Sequence, residues 1–274
     1  MKWANKTMYF FMFLLLASIK ISAQADTLEI NTKYAVGDGM GNLFVITENN
    51  TLLKLDSNLT ILISQSLISY GIASSIECNG ATEVVVYCFN SGQLVVFDNF
   101  LKEKNRYDLS QFIKPNPTLV CLSKTGWWCY DEASSTISNY RSNFQKAWTL
   151  PKAPGLHLHK EILKIAEIGY ALPVILFADT SVMVSKKEFQ QEDIAKNEEF
   201  RFHSIPSLNF NTEVLLGYVQ DSISRLTLHR QATPDYRMIK TELQLQNVIM
   251  VVRSFNTYFF IQPNAILAIR NLHE

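Results

Sequence analysis

The sequence predicts an all-β fold, a six-bladed β-propeller of four-stranded antiparallel blades, and three observations predict it. First, an apolar segment that closes a strand-like hairpin recurs along the chain. It reads LLKLDSNL at 52–59, LVVFDNFL at 94–101 and ISNYRSNF at 137–144, then SVMVSKKE at 181–188, RLTLHRQA at 225–232 and ILAIRNLH at 266–273. The successive offsets are 42, 43, 44, 44 and 41 residues, a period at which each unit is one small sheet that buries its faces against neighbouring units. Second, short strand-like runs and turn residues fill the better-conserved periods. Third, the last repeat is one strand short, and a strand-like segment near the start of the chain has no place in the first repeat.

The first repeat holds runs at 34–36, 43–47, 51–55 and 60–64. The GDGMG stretch at 37–41 has the glycines of a phosphate-cradling loop, but such a loop opens a helix. Here NLFVIT follows, a strand, so the stretch reads as a hairpin turn that tolerates positive φ. The second repeat divides into 73–78, 83–89, 93–98 and 105–109 at Asn79-Gly80 and Asn90-Ser91-Gly92, and the third into 118–123, 127–130, 136–140 and 146–150. The inner runs are nearly all apolar, as expected where neighbours cover both faces, and the fourth runs are polar, as expected at a rim. The sixth repeat has 247–253, 257–261 and 265–271 and no fourth run. Residues 27–33, TLEINTK, are expected to supply it and so to close the ring.

Lys2 and Lys6, an apolar run from Met8 to Leu16, and the small residues Ser22, Ala23 and Ala25 make residues 1–25 a secretory signal peptide, cleaved after Ala23 or Ala25. The apolar run is short of the roughly 20 residues a membrane span needs. Residues 26–274 then form a single propeller domain with no membrane span. Removing Lys2, Lys6 and Lys20 from 25 basic residues leaves 22 against 25 acidic ones, a formal charge of −3. That balance argues against a general nucleic-acid binder, which needs a basic face.

Four cysteines fall at repeat-equivalent places, Cys78 with Cys121 and Cys88 with Cys129. In an exported chain, Cys121 and Cys129, flanking a hairpin turn, are candidates for a disulfide; the alternative is that all four are small buried hydrophobes between the second and third blades. Trp127 and Trp128 should point to opposite faces of their strand. His157-Leu158-His159 has the spacing of a metal pair but no carboxylate partner nearby. No catalytic, cofactor-binding or metal-ligating set emerges, and no cofactor is implied. The charged stretch after Ser185, KKEFQQEDIAKNEE, reads as a solvated loop or short helix outside the blades. As the chief break in the pattern it is the candidate partner-binding segment, with Lys186, Lys187, Glu188, Phe189, Glu192 and Asp193 as its contact residues.

The blocks IASSIECNGATEVVVYCFNSGQLVVFDNFL and LVCLSKTGWWCYDEASSTISNYRSNF, within residues 69–148, resemble a family of secreted β-propeller-like proteins of Bacteroidota. The run Trp128-Cys129-Tyr130-Asp131, the strand at 137–141 and a leader ending Ile-Ser-Ala-Gln are similar to that family. The resemblance implies the fold and an envelope location, periplasmic or secreted, but no activity.

These features together point to a non-enzymatic scaffold, an accessory subunit whose partner is a protein complex of the outer membrane or cell envelope. The competing reading is a small-ligand or glycan site, or lactonase-like hydrolysis, in the central channel, with Asp38, Glu77 and Glu167 reaching the axis. Three or more carboxylates or imidazoles converging in the channel would favour hydrolysis.

Overall fold

The computed structural model describes residues 25–150, 162–168, 172–177, 182–185, 191–193, 208–209, 212–219, 222–229, 235–240, 245 and 247–270. The first strand, β1 (Ala25–Glu29), stands apart in sequence from the sheet it joins. After it, β2 (Thr32–Gly37), β3 (Leu43–Thr47), β4 (Thr51–Leu55) and β5 (Ile61–Ser66) form one antiparallel meander. The next is β6 (Ser75–Asn79), β7 (Glu83–Cys88), β8 (Gln93–Asp98) and β9 (Glu103–Asp108). A third comprises β10 (Leu119–Ser123), β11 (Gly126–Asp131), β12 (Thr136–Arg141) and β13 (Lys146–Thr149). Then come β14 (Ile162–Ile168), β15 (Leu172–Phe177), β16 (Val182–Ser185) and β17 (Gln191–Asp193), and after them β18 (Leu208–Asn209), β19 (Thr212–Val219), β20 (Ser222–His229) and β21 (Asp235–Lys240). The last sheet runs β22 (Met250–Ser254), β23 (Thr257–Ile261) and β24 (Ala265–Arg270), with β1 on its outer edge.

The recurring segments of the sequence are the third strands of these sheets, β4, β8, β12, β16, β20 and β24, and the turns after the first three share one geometry. Leu59, Leu101 and Phe144 occupy the left-handed region at φ 61°, 57° and 62°. Their amides donate to the carbonyls of Asp56, Asp98 and Arg141 at 3.0, 3.0 and 2.8 Å. In the first two turns the aspartate carboxylate also accepts two backbone amides, Asn58 and Thr60 at Asp56, Phe100 and Lys102 at Asp98. A bulky residue at positive φ is strained. It is held there because each side chain is buried between its own sheet and the one before: Leu59 with the last sheet, Leu101 with the first, Phe144 with the second. The repeat is therefore a staple between sheets as well as a strand.

Packing follows the pleat. In β11, Trp127 joins the cluster shared with the second sheet and Trp128 the cluster shared with the fourth, as alternation requires. The first and last sheets are likewise fused, through Leu43, Val45 and Leu55 against Phe259, Ile261 and Ile266, with Leu28 and Ile30 packed alongside. The GDGMG stretch is a hairpin turn, with Gly39 and Gly41 at φ 75° and 103°, and Asp38 Oδ1 accepts from the amides of Met40 and Asn42 at 2.7 and 3.0 Å. Asp38 also accepts from Ser254 Oγ at 3.0 Å, tying this turn to the last sheet. Gly37 is required at that seam, since a Cβ there would meet the Arg253 carbonyl oxygen at 2.8 Å.

Several expectations need correction. Residues 27–33 do not form one outer strand: Ala25–Glu29 pairs antiparallel with β24, from Ala25 opposite Ile269 to Glu29 opposite Ala265, while Thr32 and Lys33 already belong to β2. The charged stretch is not wholly a loop or helix. Glu192 and Asp193 stand in β17, the outer strand of the fourth sheet, paired with Val184 and Met183. An outer strand has an open edge and tolerates charge, so it reads like a solvated loop. Lys186, Lys187, Glu188 and Phe189 lie outside the described residues, as do His157, His159 and residues 1–24. Cys121 and Cys129 do not pair. Cys121 stands opposite Trp128 and Cys129 opposite Val120, one residue out of register and hence on opposite faces. All four cysteines are free, and they are spread over three inter-sheet layers rather than confined to one: Cys88 and Cys78 with the first layer, Cys129 with the second, Cys121 with the third.

Candidate functional site

The inner strands converge. β2 touches β6 and β22, β6 touches β10, and β10 touches β14. Between them lies a cavity of about 180 Å³ walled by side chains of β2, β6, β10, β14, β15 and β22. Leu119 and Cys121 of β10 and Met250 and Val252 of β22 line it as alternate residues of one strand face, whereas β2 and the start of β6 line it with continuous runs, 33–36 and 74–77. Most of the wall is apolar, with Ala35, Leu119, Leu163, Leu176, Met250 and Val252 contributing.

The polar part of the wall is small and specific. Lys164 Nζ stands 3.2 Å from Glu77 Oε2, with the two side chains only 21% and 9% exposed. Burial works against the Lys164 charge, and the Glu77 carboxylate offsets it, so the amine is held above its ordinary range. Ser75 Oγ is spent on the Val120 carbonyl at 3.0 Å, and Ser74 Oγ donates to the Tyr87 carbonyl at 3.0 Å. Cys121 Sγ accepts the Ile165 amide at 3.4 Å. Burial raises the Cys121 thiol well above its ordinary value, so it stands as a thiol and not as a thiolate nucleophile. Lys33 Nζ donates to the Ala73 carbonyl at 3.1 Å and lies 5.2 Å from the centroid of the Tyr34 ring.

Of the three carboxylates expected at the axis, Glu77 lines the cavity. Asp38 is committed to the β2–β3 turn and to Ser254 and does not line it. Glu167 lies in β14, opposite Pro173, with a side chain outside the described set. Among the described residues no three His, Cys, Asp or Glu side chains gather as metal ligands. The arrangement offers two ammonium groups and one carboxylate in an apolar wall, which suits binding of a small molecule better than proton transfer by a carboxylate pair. Sequence reading passed over Lys33 and Lys164, although Lys164 stands between Leu163 and Ile165 in β14 and Lys33 beside Tyr34 in β2.

A second feature lies at the outer edge of the first sheet. β5 pairs with β4 and forms the edge. Its sequence, ILISQS, has no charged residue. The other outer strands all carry charge: Asp26 and Glu29 in β1, four charged residues in β9, Lys146 in β13, Glu192 and Asp193 in β17, and Asp235, Arg237 and Lys240 in β21. Ile61 and Leu62 are 50% and 48% exposed.

No family model matches the chain, and no curated protein matches it. Among solved structures the chain is similar to virginiamycin B lyase from Staphylococcus aureus, with TM-score 0.59 and 9% identity over 91% of this chain and 99% of that one. It is similar to the WD40 repeats of RRP9, with TM-score 0.54 and 8% identity over 91% and 99%. YCF48 bound to D1 peptide matches with TM-score 0.50 and 13% identity over 88% and 77%. Identities this low show the β-propeller fold alone. A lyase, a WD40 repeat domain and a peptide-bound protein share it, so function has to be argued from the site.

Proposed function

We propose that the chain is a six-bladed β-propeller, closed by its N-terminal strand, that works as a protein-interaction scaffold in an outer-membrane or cell-envelope complex. The observation that carries this reading is β5. Edge strands are ordinarily blunted with charge because an open edge invites another chain to pair with it. The other outer strands follow that rule; β5 departs from it and exposes Ile61 and Leu62 in addition. An uncharged edge with exposed aliphatic side chains fits β-augmentation, in which an extended partner segment adds as a further strand and its alternate side chains find apolar contacts. The leader at residues 1–25 and the resemblance of residues 69–148 to secreted propeller-like proteins support placement in the periplasm or beyond. Pairing of β1 with β24 and the fused first and last sheets support the closed ring.

A photo-crosslinking residue placed at Leu62 in cells, with one at Arg106 of β9 as control, tests the reading. The expected result is a heterologous adduct of one defined mass from Leu62 only. Absence of an adduct from Leu62, equal adducts from both positions, or a product of twice the chain's own mass would contradict it.

A further inference from the structure

We propose that the cavity between the inner strands is a binding site for a small monocarboxylate with an apolar body, ring-sized or of comparable chain length, whose carboxylate is held by Lys33. The size follows from the volume: an apolar cavity of about 150 Å³ admits a benzene ring, and this one measures about 180 Å³. Preference for an apolar body follows from Leu119, Leu176, Met250 and Val252 in the wall.

Preference for an anion follows from the balance of charge. Two lysines and one glutamate line the cavity, and that glutamate, Glu77, already faces Lys164 at 3.2 Å. Lys33 is left with no carboxylate within ion-pair distance among the described residues. An ammonium has three donors. One goes to the Ala73 carbonyl at 3.1 Å, and the Tyr34 ring takes part of the charge. In a wall this apolar, an ammonium with spare donors attracts a carboxylate more strongly than it would in water. Leu163, 46% exposed while also lining the cavity, marks where it meets solvent. The proposal is independent of β5, which lies on the outer edge of the first sheet, so either can fail alone.

Benzoate is the probe, with benzamide and benzylamine as neutral and cationic matches of the same shape, titrated by calorimetry against the purified mature protein. The expected result is benzoate binding that is at least tenfold tighter than benzamide, with no benzylamine binding. Lys33→Gln should remove that tenfold preference, bringing benzoate down to the affinity of benzamide, and Leu163→Trp, at the exposed mouth, should weaken both. Should Lys33→Gln not fold, the ligand preference of the wild type and the Leu163→Trp result decide. No benzoate binding at millimolar concentration, benzoate affinity unaltered by either substitution, or equal loss of benzoate and benzamide in Lys33→Gln would overturn the proposal.

Discussion

Replacing Leu101 with alanine and with glycine separates the two roles of the recurring turn. Leu101 is 3% exposed and packs among Phe44, Val95 and Phe97, and its φ is 57°. Truncation to alanine removes a buried leucine side chain, which costs about 2–5 kcal/mol, and leaves a Cβ in the left-handed region. Truncation to glycine also removes the Cβ, about 0.8 kcal/mol when buried, and adds roughly 0.4–1 kcal/mol of unfolded-state entropy. It also relieves the left-handed strain, about 1–2 kcal/mol. Leu101→Gly is therefore expected to lie within about 1 kcal/mol of Leu101→Ala. Leu94 is the control: it is fully buried in the regular strand β8, where glycine should be worse than alanine by about 1.3–1.8 kcal/mol, with no strain to relieve. Urea unfolding of the four variants gives the comparison. If Leu101→Gly falls below Leu101→Ala by the margin seen at Leu94, the turn does not hold its leucine under strain and the staple argument fails.

Glu77→Gln should destabilise the fold by about 3–5 kcal/mol, because it leaves the buried Lys164 ammonium without its counter-charge; Glu77→Gln with Lys164→Met should recover much of the loss in the same urea assay. Since the Lys164 amine is held above its ordinary 10.5 in the folded chain, its contribution is fully present below pH 10.5 and is lost as pH rises through the folded value, so the Lys164 amine adds no slope to stability between pH 6 and 9. The four cysteines should stay unreactive to a thiol reagent in the native protein and all react on unfolding, as burial raises Cys88 to about 11 and the others further; fewer than four thiols after unfolding without reductant would reveal a bridge. Deleting Ala25–Glu29 removes the partner of β24 and the ion pair of Asp26 with Arg270. A broadened, lower-temperature melt by circular dichroism is expected, and an unchanged melt would show that β1 is dispensable.

Much of the fold was legible because the blade repeat is written in apolar spacing. The runs at 43–47, 51–55, 93–98 and 257–261 coincide with β3, β4, β8 and β23, each bounded by turn residues and buried along most of its length. Boundaries failed where propensity had no contrast to offer. TLEINTK is strand-like throughout, yet the chain leaves one sheet at Ile30 and joins the next at Thr32, a break set by which edge each half pairs with. β17 was hidden because an edge strand and a wet loop share one composition. The disulfide expectation failed by one residue of register, which flips a side chain to the other face. Least legible was the cavity: Lys33, Glu77 and Lys164 stand more than 40 residues apart and meet only once the inner strands converge.

The proposed closure of the ring rests on the pairing of β1 with β24 beside the packed first and last sheets. Hydrogen–deuterium exchange of the mature protein measures it directly at the β1 amides that face β24. The account predicts protection at those alternate β1 amides comparable to that of β23 and β24, lost together with theirs in denaturant. Exchange of those amides at the rate of an unstructured peptide, with β24 still protected, would contradict it.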